Sequence, residues 1–281
     1  MPGLRISIVE YLNTAPLVWG FVHGPLKNKH ELSFTVPSLC AEALRRGEVD
    51  VAIIPAIEYQ RMEDVVALPG MAIAAKGAVR SILVVSKTPM EKARRIALDT
   101  SSRSSAALVR LLCAGRWKIE PEFVEAKPDL AAMLADADAA LLIGDPALRV
   151  AIEAGEKAPP TGALYLYDVA HEWREMTGKP CVLALWVARR NAVTPEVLAD
   201  FVASKEYGMA RIDEIARGAA AKLGLPKDAL ARYLRENIDF SLDAENQAGL
   251  DLYYRLSAQA GLIPRAKPLE FVALPAQAGA R

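Results

Sequence analysis

The chain has 281 residues, 34 basic and 34 acidic side chains and 52% hydrophobic residues. That length suggests one or two domains and a core large enough to need no disulfides or structural metal. Balanced charge argues against a dedicated nucleic-acid binder, which would show a basic face.

Three cysteines, Cys40, Cys113 and Cys181, fit neither a disulfide framework nor a CxxC metal site, and read as reduced, buried thiols. The start, Met1-Pro2-Gly3-Leu4-Arg5, runs straight into an apolar strand and then Glu10, with no apolar stretch of signal-peptide length. No window approaches the ~20 consecutive apolar residues of a membrane span. A cytoplasmic protein is expected.

Short β-branched runs alternate with helical patterns through the first two thirds, which predicts an α/β protein with largely parallel sheets. The order begins with a buried strand over 6–9 and a helix over 16–23. A helix over 39–46 is then stopped by Gly47 before a strand over 51–54. Strands over 79–85 and 95–98, helices over 104–114 and 130–135, and a strand over 141–143 follow. The stretches 44–54 and 134–143 both read as helix end, acidic turn and buried strand, an echo that suggests two similarly built α/β lobes.

Past Arg190 the texture becomes helical. Thr194-Pro195-Glu196 supplies an N-cap, a proline at the first helical position and a first-turn acid. Helices are predicted over 195–217, 227–236 and 244–260, with a disordered tail over 275–281. Helices that return to pack on the first lobe make it discontinuous, residues 1–86 with 190–281, around a second lobe of 87–189. A ligand cleft between lobes follows from that arrangement.

Dinucleotide, Walker, nucleophile-elbow and zinc-protease motifs are absent. His23, His30 and His171 read as surface residues without ligand-type neighbours, so no metal is expected. The densest polar feature is Asp99-Thr100-Ser101-Ser102-Arg103-Ser104-Ser105, between a strand and a helix. Free amides at the helix start, hydroxyls and one guanidinium suit a carboxylate or phosphate. Ordinary capping explains one hydroxyl, whereas Thr100–Ser105 carries five around Arg103.

Asn13 follows the first strand in Tyr11-Leu12-Asn13-Thr14-Ala15-Pro16; it either caps the helix or offers its amide to a ligand. Ser81 stands at the entrance of a strand, where a serine is usually just tolerated. Glu58 and Asp145 each follow a strand and face either the cleft or a helix start. Trp173 and Trp186 read as packing residues.

Together these motifs resemble the chorismate dehydratase family of the futalosine route to menaquinone. The carrying residues are Tyr11-Leu12-Asn13 with Pro16-Leu17, Leu44-x-x-Gly-Glu-Val-Asp50, Val79-Arg80-Ser81, Ser101-Ser102-Arg103-Ser104-Ser105 and Leu142-Ile143-Gly144-Asp145. Glu172-Trp173-x-x-x-Thr177-Gly178-x-Pro180 and Ala184-x-Trp186-x-Ala188-Arg189 extend the match, which covers about 5–260. The resemblance implies a type II periplasmic-binding-protein-like fold, with crossings near 86–89 and 186–190. It also implies loss of water from chorismate to give 3-[(1-carboxyvinyl)oxy]benzoate, without a cofactor.

By the same resemblance Asn13 and Ser81 are the catalytic candidates. Ser101, Ser102, Arg103, Ser104, Ser105 and Asp145 are the candidates for binding substrate. Asp99 departs from the family pattern and sets a negative charge beside the anion site unless it turns away or pairs with Arg103. No His, Lys or Glu stands within the motifs at Asn13, Ser81 or Ser101–Ser105, so proton abstraction by the substrate's own enolpyruvyl carboxylate is expected. The rival readings are the sister enzyme making 1,4-dihydroxy-6-naphthoate and a non-catalytic carboxylate-binding protein. The sister carries a His-Glu pair where this chain has Gly144-Asp145. The only partner expected is a small-molecule substrate, with no nucleic acid or membrane.

Overall fold

The computed structural model describes residues 3–155 and 164–272, so the tail expected over 275–281 lies outside the described residues. In chain order, β1 (Arg5–Val9) passes through a 3₁₀ turn (Leu12–Thr14) into α1 (Ala15–His23), β2 (Glu31–Thr35) and α2 (Pro37–Arg45). Next come β3 (Val51–Pro55), the single turn α3 (Ala56–Tyr59) and the long β4 (Val65–Ala75). The middle of the chain holds β5 (Ile82–Ser86), β6 (Arg95–Asp99), α4 (Arg103–Leu112), β7 (Glu122–Ala126) and α5 (Leu130–Asp136). It continues through β8 (Ala139–Ile143), α6 (Gly144–Ala154), β9 (Tyr165–Asp168) and α7 (Val169–Thr177). The strand β10 (Cys181–Arg189) precedes α8 (Pro195–Met209), α9 (Ile212–Leu223), α10 (Lys227–Arg232) and α11 (Ala244–Gln259).

The strands form two five-stranded sheets, ordered β2-β1-β3-β10-β4 and β7-β6-β8-β5-β9. In each, three strands run parallel and the fourth runs antiparallel to both neighbours. The sheets are therefore built on one plan, and the echoing segments α2–β3 and α5–β8 occupy the same place in each. Both central strands are apolar along their whole length, β3 as Val-Ala-Ile-Ile-Pro and β8 as Ala-Ala-Leu-Leu-Ile, and every one of these side chains is buried. Burial on both faces is what a sheet covered by helices on each side requires.

Two expectations need correction. The sheets are mixed rather than largely parallel, because β5 and β10 arrive directly from the other lobe. A strand entering from the cleft side must run against those whose carboxyl ends point into the cleft, β1 and β3 for β10 and β6 and β8 for β5. Sheet membership also changes earlier than expected: β5 belongs wholly to the second sheet and β10 wholly to the first. The chain thus crosses at 76–81 and again at 178–180, instead of after 86 and 189.

The C-terminal helices return to the first lobe as expected, with α8 lying along α1. The single helix expected over 195–217 is two, α8 and α9, divided where Arg211 leaves helical geometry (φ −128°, ψ 28°). Close approach of α8 to α1 depends on small residues. Ser204 accepts the Phe21 amide (3.3 Å) and donates to the Leu17 carbonyl (3.0 Å). A Cβ on Gly208 would stand 2.1 Å from the Pro16 carbonyl oxygen, a backbone atom that cannot swing aside. Gly208→Ala is therefore expected to destabilise the fold by about 3 kcal/mol through overpacking, read as a Tm several degrees lower in a thermal melt.

All three cysteines are free and buried, and burial pushes the Cys40 thiol up to about 11. Trp173 and Trp186 are fully buried packing residues. His30 is a core residue rather than a surface one. Its side chain is 3% exposed, its Nδ1 accepts the Leu4 amide (3.2 Å) and its Nε2 lies 3.3 Å from Asp200.

Candidate active site

The carboxyl ends of β1 and β3 face those of β6 and β8, and the segments leaving these strands line the space between the lobes. Asn13, Ser81, Ser102 and Ser105 share one cavity there, walled by apolar side chains including Val9, Ile73, Ile143 and Leu183. Its lining contains no His, Lys, Arg, Asp or Glu. The free space is about 40 Å³, so the lobes must part to admit anything larger than a few waters.

Asn13 is placed by the 3₁₀ turn that follows β1, where Thr14 Oγ1 donates to Asn13 Oδ1 (3.4 Å). Ser81 is placed by the first crossing. Its hydroxyl is buried and accepts a hydrogen bond from the Tyr233 phenol (2.8 Å), while its carbonyl accepts the Gly144 amide (2.8 Å). Just before it, Arg80 adopts a left-handed backbone (φ 61°), a conformation non-glycine residues hold only under constraint.

The constraint is Asp168. Its carboxylate accepts the Val79 and Arg80 amides (3.1 and 2.5 Å) and caps α7 through the Ala170 and His171 amides (3.1 Å each). Burial nevertheless raises its carboxyl above the usual range. From the other side, Asn237 Nδ2 donates to the Ala78 carbonyl (2.9 Å).

The hydroxyl-rich turn divides its labour. Ser102 is the N-cap of α4: its Oγ accepts the Ser105 amide (3.3 Å) and lies 3.0 Å from Ser105 Oγ. The Arg103 and Ser104 amides, in the first turn, have no intrahelical acceptor, and they open the positive end of a ten-residue helix. Ser102 and Ser105 thus reach the cavity beside Asn13 and Ser81.

The rest of the turn does not. Ser101 gives both its amide (2.8 Å) and its hydroxyl (2.6 Å) to Asp99 Oδ1. Asp99 points back into the turn instead of pairing with Arg103, and burial raises its carboxyl above the usual range. Ser104 Oγ accepts the Ile57 amide (3.0 Å) across the lobes.

The Arg103 side chain is engaged between the lobes. Its guanidinium spans the lobes to Glu42 (2.8 Å) and Glu58 (2.9 Å). Glu58 is fully buried and also pairs with Arg45 and with Arg61 (2.8 Å). A buried carboxylate surrounded by three guanidiniums is charge-paired in place, so Glu58 and the Arg103 side chain hold each other across the lobes instead of lining the cavity.

Asp145 also lies outside the lining of this cavity. Its Oδ1 accepts the Leu12 amide across the lobes (3.0 Å), and it lines a neighbouring apolar pocket, not the cavity. Burial raises this carboxyl above the usual range. Next to it, Gly144 has φ +65°, and a Cβ there would meet the Tyr11 ring at 2.7 Å. Glycine is required at that contact both by its backbone and by the ring packed on it.

Sequence reasoning missed Tyr233 and Asp168. The aspartate's cap at the start of α7 is a readable local signal, whereas its grip on Val79 and Arg80 has none. Tyr233 follows Leu230 at helical spacing and reads as a core residue, which in its ring it is.

Two sheets of one plan, joined by two crossings and enclosing a cavity between them, define a two-lobed α/β protein of the periplasmic-binding-protein type. Protein AF1704 from Archaeoglobus fulgidus has this fold, superposing with a TM-score of 0.75 at 21% identity over 93% of this chain and 98% of that one. The periplasmic aliphatic sulphonate binding protein SsuA from Escherichia coli superposes with a TM-score of 0.64 at 20% identity over 95% of each chain. Within this class the chain belongs to the menaquinone biosynthesis family, which matches residues 4–259. A chorismate dehydratase of Thermus thermophilus is 28% identical over 261 residues, 88% of this chain and 93% of that protein. Among the described residues no helix is long and apolar enough to cross a membrane, and no group of three or more His, Cys, Asp or Glu could hold a metal ion.

Proposed function

We propose that this protein is a carbon–oxygen lyase that removes water from chorismate, giving 3-[(1-carboxyvinyl)oxy]benzoate for menaquinone synthesis. The observation that carries the reading is the convergence of Asn13, Ser81 and the N-terminal turn of α4 in one cavity whose lining holds no His, Lys, Arg, Asp or Glu. A carboxylate of the substrate sits on Ser102, Ser105 and the Arg103 and Ser104 amides, where the helix end favours negative charge.

Elimination breaks the ring C–H bond beside the ether oxygen and the C–O bond of the adjacent ring hydroxyl. The C–H electron pair becomes the new ring double bond as hydroxide departs, and the ring becomes aromatic. With no His, Lys, Asp or Glu in the cavity lining, the proton goes to the enolpyruvyl carboxylate, which reaches it through a six-membered arrangement. Hydroxide takes up one proton and leaves as water. Asn13 orients that carboxylate and Ser81 donates to the departing hydroxyl, while lobe closure supplies position and excludes water.

The test is direct. Purified protein is mixed with chorismate, without added metal or cofactor, and the products are followed by liquid chromatography and mass spectrometry. A product lighter by one water with an aromatic absorption spectrum is expected. Chorismate recovered unchanged overturns the reading; if it still raises Tm, the cleft only binds.

A further inference from the structure

We propose that Tyr233, contributed by the C-terminal third of the chain, is a positioning residue that orients Ser81 for the elimination. The inference rests on the dehydratase reading and names a residue which that reading does not use.

Tyr233 begins a π-turn, Tyr233–Asn237, that follows α10. The side chain is 2% exposed, and its phenol donates to Ser81 Oγ at 2.8 Å. The phenol oxygen therefore meets one of the two catalytic candidates that line the cavity.

Direction follows from donor and acceptor counting. A serine hydroxyl has one proton to give. Because Ser81 Oγ accepts from Tyr233, its own proton is left to point into the cavity, toward the departing hydroxyl.

Burial raises the Tyr233 phenol far above its ordinary range, so it remains a donor throughout the working pH range and transfers no proton itself. The same turn holds the crossing through Asn237 and the Ala78 carbonyl (2.9 Å). A purely packing tyrosine would need neither contact.

The test compares wild type, Tyr233→Phe, Ser81→Ala and the double variant with chorismate, alongside Tm. Phenylalanine keeps the ring and removes only the oxygen. In Tyr233→Phe, kcat is expected to fall about tenfold or more, with KM within about twofold, because the substrate is still held by α4. In the Ser81→Ala background the same change is expected to cost much less than it does alone, since its route through Ser81 is already gone. A merely structural role would lower Tm and leave the two losses additive.

Tyr233→Phe with wild-type kcat, or with a full additive loss in the Ser81→Ala background, overturns the role while wild type stays active. Wild-type protein that leaves chorismate intact overturns the dehydratase reading, and this role with it. If Tyr233→Phe does not fold, Tyr233→Met, a second oxygen-free side chain, is measured against the same outcomes.

Discussion

Asn13→Ala and Ser81→Ala are each expected to lower kcat for water loss by about 10²–10³-fold, the usual cost of removing one donor aimed at developing charge in a dry site. Both variants should fold. Asn13 is half-buried and its side chain makes one long hydrogen bond, to Thr14, and loss of the Ser81 hydroxyl removes one buried hydrogen bond, worth about 1 kcal/mol. Asp145→Asn supplies the contrast. Its side-chain oxygen can still accept the Leu12 amide, and the residue lies outside the cavity lining, so turnover should stay near wild type. An inactive Asp145→Asn beside fully active Asn13→Ala and Ser81→Ala would mean that a carboxylate of the protein takes the proton. Single-turnover mass spectrometry with chorismate separates these outcomes.

The largest effect on stability is expected at Asp168. In Asp168→Ala four backbone amides, from Val79, Arg80, Ala170 and His171, lose their acceptor together. Each buried donor left unpaired costs about 1–3 kcal/mol, so a loss of about 4 kcal/mol is expected from denaturant titration. Activity should fall further than stability alone explains. The two amides before Ser81 are what hold Arg80 in its left-handed backbone, and a relaxed Arg80 would swing Ser81 away from Tyr233 and out of the cavity. Asp168→Asn, which keeps one acceptor oxygen, should lie between wild type and Asp168→Ala on both scales. Equal Tm for all three proteins would refute the brace.

The paired architecture was legible in the sequence because its inner strands are bounded apolar runs: β1, β3, β6 and β8 each fall where the pattern predicts. The edge strands were not. In β4 the run is interrupted by Pro69-Gly70, with Gly70 at φ +72°, a pair that reads as a turn but here lies within an edge strand whose pairing shifts register nearby. In β2 all five residues are at least partly exposed, so no apolar run marks it.

The site was legible where it is local. The cap Ser102 and its neighbour Ser105 follow from strand, polar turn and helix, and Asn13 from the end of β1. The ion pairs of Arg103 were not legible, because a guanidinium among hydroxyls suggests an anion, while its partners, Glu42 and Glu58, lie 61 and 45 positions earlier. Tyr233 is 152 positions from Ser81, and no spacing rule reaches that far.

The threading of β10 between β3 and β4 bears on how the molecule is born. Every pairing partner of β4 is synthesised after it: β10, and beyond that Asp239 and Phe271. The second sheet is contiguous from Ile82 to Asp168, and all its strands are synthesised before β10. The lobe made first is thus the last to close, and an apolar eleven-residue strand waits with both edges bare. A chain released before 181 would be a sticky fragment instead of half an enzyme, and chaperone dependence in the cell should track the pace of translation between β4 and β10.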